Sequence, residues 1–254
     1  MTSCGADERQ TIRACEAWLA TPDGEYARAG VSRILNSLIS DWPRRGRRLL
    51  HASCGSGRVS ELFWEAGFDV TAVTADPEIM QEAREYMGPR ADIQLATPDC
   101  LPFDDNSFEF VAVPFLCRKN GSLSGSLREA LRVASKGVLF GFFNSWSLYS
   151  VSRRLVKSGV ASMQPLRVYR LLREAGLHGG GMSVTFRSVL SGPAFSWSGF
   201  PAFQFINEAV LPHPFGAYAV FRVDCGARPE LTPLTLRTSL VTAGRQNACF
   251  LLKR

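Results

Sequence analysis

The feature that most constrains this chain is an apolar run that enters a glycine turn and leaves it as a helix. Leu49 to Ser53 reads as a short strand and Cys54-Gly55-Ser56-Gly57 as the turn. Val59, Leu62, Phe63 and Ala66 then form one apolar helical face that stops at Gly67. Strand and helix signals alternate from there. Residues 68–74 are rich in β-formers. Asp76-Pro77 sets a capping carboxylate before a proline at the first helical position and opens a helix through Met87. Residues 93–96 read as a third strand, and 108–115 as a fourth that is apolar almost throughout, as a strand buried on both faces should be. A helix over 127–134 and a strand over 137–143 follow. This alternation predicts an α/β fold with a largely parallel sheet and helices on both faces.

The flanks are less regular. Residues 1–10 read as a loose tail, and 11–40 as two helices split at Thr21-Pro22-Asp23-Gly24. The second helix carries Val31, Ile34, Leu35, Leu38 and Ile39 on one face. Downstream, 147–156 and 166–175 read as helices, and 182–190 and 215–223 as strands. Residues 191–201 read as a loop bearing Phe195, Trp197 and Phe200. The expected organisation is an N-terminal helical lid (1–40), the α/β domain (41–224) and a C-terminal extension (225–254).

Composition narrows the chemistry. Hydrophobic residues make up 46% of the 254 residues, enough for a real core. The three histidines (His51, His178, His213) lie far apart, and the seven cysteines never form CxxC, so no metal site is expected. Scattered cysteines in odd number fit reduced thiols and a cytoplasmic setting. The polar start MTSCGADERQ does not resemble a signal peptide, and no apolar run is long enough to span a membrane. The net charge of +6 is mild, and Arg44-Arg45-Gly46-Arg47-Arg48 reads as a solvated turn more readily than as a nucleic-acid patch.

A strand, a glycine turn and a helix together suit a nucleotide-like ligand, because glycine admits close backbone approach and helix-start amides point outward. The turn is neither GxGxxG, since position 60 is Ser, nor a phosphate-binding P-loop, since no Gly-Lys-Ser/Thr occurs here. Four segments taken together are more specific: LLHASCGSGR (49–58), VTADPEIM (73–80), ATPDCLPF (96–103) and DDNSFE (104–109). In order and spacing they resemble the class I S-adenosylmethionine-dependent methyltransferases, specifically the type 11 branch that includes the ubiquinone/menaquinone methyltransferases. WLATPDG, FFNSWS, LLREAGL and FGAYAVFRV extend the similarity over most of the chain. The resemblance implies a Rossmann-like, seven-stranded sheet, parallel except for one strand near the edge. It also implies S-adenosylmethionine as cofactor, bound at the carboxyl ends of the first, second and fourth strands.

The chain departs from that pattern where the family grips its cofactor. His51 stands where the first strand normally ends in an acid, and Ser53 replaces the first glycine of Gly-x-Gly-x-Gly. Thr74 replaces the acid that takes both ribose hydroxyls, and Thr97 the acid near the adenine amino group. A charge-assisted contact is worth about 1.5–3 kcal/mol, so each loss would cost roughly 10–150-fold in affinity. By resemblance the cofactor contacts are His51, Ser53, Cys54, Gly55, Ser56, Gly57, Thr74, Ala75, Asp76, Thr97, Pro98, Asp99 and Phe115, with Asp76 and Asp99 placed to compensate. Trp18, Tyr26, Asn144 and Trp146 are candidates for the acceptor side, with Phe195, Trp197, Phe200, Phe203 and Phe205 as an apolar cap. No catalytic residue is assigned. The expected partner is a small apolar or aromatic molecule that receives a methyl group. Two alternatives stay open: a non-catalytic binding or regulatory descendant of the fold, and a pocket retuned to a more anionic ligand.

Overall fold

A computed structural model describes residues 2–116, 123–151, 162–176, 181–197 and 201–226. Two helices, α1 (Thr2–Leu19) and α2 (Pro22–Ile39), precede the sheet. Helix α1 starts at Thr2, so the stretch expected as a tail is helical backbone. Thr21 starts α2, its hydroxyl accepting from the Gly24 amide at 3.2 Å.

The alternating core follows: β1 (Arg48–Ala52), α3 (Arg58–Glu65), β2 (Asp69–Thr74), α4 (Pro77–Met87), β3 (Ala91–Leu95), β4 (Phe108–Val113), α5 (Leu123–Val133) and β5 (Ala134–Asn144). Then come α6 (Leu148–Val151), a two-residue β6 (Ser162–Met163), α7 (Pro165–Ala175), β7 (Ser183–Val189), α8 (Pro201–Glu208) and β8 (Tyr218–Asp224). The order across the sheet is β3-β2-β1-β4-β5-β8-β7. These seven strands are the expected ones. An eighth, β6, pairs with β5 at Phe143 and Asn144, beyond the point where β4 stops. Strand β8 runs antiparallel to both β5 and β7, so it is the single reversed strand, one place from the edge.

Helices cover both faces. On one, α2 packs Val31, Ile34, Leu35 and Leu38 against Leu49, Phe110, Leu139 and Val220, with Phe63 of α3 in the same core. On the other, α5 and α7 bring Leu127, Leu131, Val168 and Leu172 against Leu50, Val111, Val138 and Phe140. Helix α2 therefore shares the core of the sheet. The order reverses between β1 and β4, and open α/β sheets leave a crevice at the carboxyl ends of the strands at such a point. Among the described residues no helix is long and apolar enough to cross a membrane.

Candidate functional site

The glycine turn is built from left-handed backbone. Ser53 has φ 63°, Gly55 φ 54° and Gly57 φ 88°. Serine is uncommon there, and a non-glycine residue in this region carries a cost of about 1–2 kcal/mol. The strained position coincides with the first glycine of the family pattern, so the turn keeps its shape without the residue that makes it cheap. The Cys54 amide donates to the Val73 carbonyl at 3.0 Å, and the Gly57 amide to Cys54 at 3.1 Å. A Cβ on Gly55 would stand 3.8 Å from Ile12, so α1 lies directly over the turn.

Between turn and helix is a cavity of about 570 Å³, within the range of small-molecule sites. Ser53, Cys54, Gly55 and Ser56 form its floor; Phe115 and Leu116, just past β4, and Phe143 of β5 form a wall. The roof is α1. Its lining residues are Ile12, Cys15, Glu16 and Leu19, a spacing of i, i+3, i+4, i+7 that puts them on one helical face. Glu25, Arg28, Arg58 and Glu82 add charge around the cavity. The roof is fastened across the turn by Arg13 of α1, which donates to and pairs with Glu82 of α4. The other Arg13 nitrogen lies 3.8 Å from Glu16 Oε2, while Glu16 Oε1 is buried with no hydrogen-bond partner.

Residues 50–142, from β1 into β5, match the family described as a methyltransferase domain, type 11. That stretch is thus similar to the type 11 branch of the class I S-adenosylmethionine-dependent methyltransferases. A malonyl-[acyl-carrier protein] O-methyltransferase of Erwinia billingiae is 31% identical over 150 residues, 54% of this chain and 53% of that protein. A ubiquinone/menaquinone biosynthesis C-methyltransferase of Ruegeria is 32% identical over 117 residues, 42% of this chain and 47% of its own length. The chain thus spans about half the length of these curated relatives. In fold, a methyltransferase structure from Thermotoga maritima superposes with TM-score 0.64 over 87% of this chain and 99% of that one, at 17% identity.

The residues expected at the site separate into two groups. Ser53, Cys54, Gly55, Ser56 and Phe115 line the cavity. His51, Gly57, Thr74, Ala75, Asp76, Thr97, Pro98 and Asp99 are not among its lining residues. His51 is buried, its Nδ1 2.7 Å from Ser60 Oγ and its ring edge-on to Phe63. Burial pulls its pKa down to about 3, so the imidazole is neutral near pH 7. Thr74 is fully buried, its hydroxyl 3.5 Å from the Asp76 amide. Asp76 is buried and caps α4, with Oδ1 accepting from the amides of Glu78 (2.9 Å) and Ile79 (3.2 Å). Thr97 and Asp99 are half-buried beside a short bridge from Thr97 to Cys100, and Pro98 is buried.

The acceptor-side candidates also divide. Trp18 is buried, donating to the Tyr149 hydroxyl at 3.1 Å and meeting Phe143 edge-on, behind the cavity wall. Tyr26 stacks on Trp197. Asn144 is buried and donates to the carbonyls of Pro214 (2.6 Å) and Gly216 (2.9 Å) while accepting from the Trp146 amide, so it holds loops together. Trp146, Phe195 and Phe205 are exposed, and Trp197 is buried against Tyr149. Phe200 lies outside the described residues, and Phe203 is described only as backbone of α8. Sequence reasoning missed the α1 face. The helical spacing of Ile12, Cys15, Glu16 and Leu19 was available as a signal, but a single glutamate in such a stripe reads as surface. Among the described residues no cluster of His, Cys, Asp or Glu could hold a metal ion.

Proposed function

We propose that this chain binds S-adenosylmethionine over the glycine turn and transfers its methyl group to a small apolar or aromatic acceptor. The observation that carries this reading is the cavity itself. It lies at the switch point of a type 11 methyltransferase domain, floored by the turn and walled by Phe115, Leu116 and Phe143. The residues fit such a ligand. Left-handed backbone at Ser53, Gly55 and Gly57 keeps the turn open, and an unpartnered carboxylate oxygen of Glu16 suits a molecule with a cationic half.

The cofactor supplies a methyl group already activated on a sulfonium. What the chain must add is alignment, and proximity and orientation supply most of the effect in such a transfer. The turn fixes one partner, the aromatic wall positions the other, and α1 excludes water above both. His51 does not act as a base here: it is buried behind the turn with its pKa held low. One relative is named for an acyl-carrier substrate and the other for a quinone pathway. Two phenylalanines in the cavity wall favour the ring-bearing class.

Calorimetric titration with S-adenosylmethionine tests the reading. Binding in the micromolar range followed by methyl transfer to a quinol- or phenol-type acceptor is the expected result. No heat at millimolar ligand, with the protein folded, would refute it. That outcome would favour the second reading, a binding module without catalysis. Its motivation is specific: the Asp76 oxygen Oδ1 is committed to the α4 cap, so this residue does not simply replace the carboxylate absent at Thr74.

A further inference from the structure

We propose that Glu16 of α1 holds the cationic half of the cofactor, so that the negative charge missing from the strand ends is delivered by the roof of the cavity. The inference rests on the S-adenosylmethionine reading above and assigns the residue that makes it workable.

Glu16 is the one charged residue among the α1 side chains that line the cavity. Its carboxylate is divided between two environments. Oε2 faces Arg13 at 3.8 Å, whereas Oε1 is buried and has no partner. Arg13 does not turn toward that inner oxygen, because its closer partner is Glu82 on α4. Arg13 thus faces Glu82 and the outer oxygen of Glu16, and the inner oxygen is left for a ligand.

A buried acceptor without a donor is costly, and a charged one more so. Apolar neighbours sharpen the effect, since Ile12, Leu19, Phe115 and Phe143 share the cavity and a low-dielectric wall strengthens any ion pair inside it. A ligand with a sulfonium and an ammonium relieves that cost directly, and a neutral ligand does so only weakly. The strand-end positions do not offer the same charge to the cavity, and neither Asp76 nor Asp99 lines it. Thr74 and Thr97 are uncharged, His51 is neutral and buried, and Asp76 caps α4.

The test compares two ligands. S-adenosylmethionine carries the sulfonium and the ammonium; 5′-methylthioadenosine keeps the adenosine and the thioether but has neither charge. Dissociation constants for both are measured by calorimetry on the wild-type chain, on Glu16→Gln and on Glu16→Leu, with thermal melting to establish that each variant is folded. Either folded variant suffices. The expected result is a loss of about 10–150-fold for S-adenosylmethionine, the worth of one charge-assisted contact, with methylthioadenosine unchanged within about twofold. Equal losses for the two ligands would make Glu16 a structural or ribose-binding residue and overturn the inference. So would unchanged affinity for both. If the wild-type chain binds neither ligand, the cofactor reading itself falls, which is a different result from a wild type that binds and a variant that binds equally well.

Discussion

At position 51 an imidazole occupies a place where the related pattern has an acid, and its surroundings show why it cannot act as one. His51 is packed between Ser60 and Phe63, with Nε2 buried and unpartnered. Burial depresses its pKa to about 3, against about 6.5 in an unfolded chain. The unfolded state therefore takes up a proton as pH falls below about 6.5, while the folded state stays neutral until about pH 3. Stability from this group is complete above that window and declines as pH falls through it, by up to about 1.4 kcal/mol per pH unit. His51→Gln removes the titration. Urea unfolding at pH 7 and pH 5 should show the wild type losing about 2 kcal/mol more than the variant between the two conditions. Parallel losses would mean that His51 titrates normally in the folded protein. The same residue-scale logic explains Ser53, whose left-handed φ preserves a glycine's geometry, and Glu16, whose role depends on one oxygen left without a donor.

Helix α4 shows how an element can absorb a residue that looks functional. Asp76 stands two positions past the absent ribose acid, yet its Oδ1 accepts from both Glu78 and Ile79 amides at the start of the helix. Capping of this kind is worth about 0.5–2 kcal/mol. Asp76→Ala should therefore lower unfolding stability by about that amount, and Asp76→Ser, which also caps, should restore most of it. Cofactor affinity should follow neither change; a parallel loss of binding would show that Asp76 also reaches the ligand. Elements whose signal is local were legible in this way. The Asp-Pro start of α4, the β-formers of β2 and the apolar run of β4 are visible within a residue or two of their bounds. Elements decided by tertiary contact were not. Residues 2–10 contain Gly5 and lack an apolar stripe, and α1 is held by its contacts over the turn and through Arg13. Strand β6 is two residues long and exists because β4 stops short and leaves Phe143 and Asn144 of β5 unpaired on that side. Helix α8 is tied down by Asn207, which accepts from the Gly192 amide at 2.7 Å. The floor of the site was readable because a glycine turn is a sequence motif. The roof was not, because the orientation of α1 is set by contacts distant along the chain, at Gly55, Glu82 and Tyr149.

At the scale of the whole molecule the cavity joins two parts that fold by different rules. Its floor and wall belong to the sheet, where Cys54 and Phe143 are buried. Its roof, α1, is joined to the rest by the buried Trp18 at one end and by the exposed Arg13–Glu82 pair near its middle. Exposed ion pairs contribute little, so α1 should open at lower free energy than the strands beneath it. A ligand between roof and floor couples the two. At a hundred times its dissociation constant it adds about 2.7 kcal/mol to stability, or roughly 5–10 °C in midpoint for a domain of this size. The gain should not be uniform. Hydrogen exchange in the presence of S-adenosylmethionine should slow most in the second half of α1, around Ile12 to Leu19, and little in β8, which is paired on both sides and lies three strands from β1. Glu16→Gln should erase most of that local protection while leaving the protection of the strands unchanged. A thermal shift without protection of α1 would place the ligand on the Thr74 and Thr97 side of the turn, outside the cavity, and the roof would then have no part in holding it.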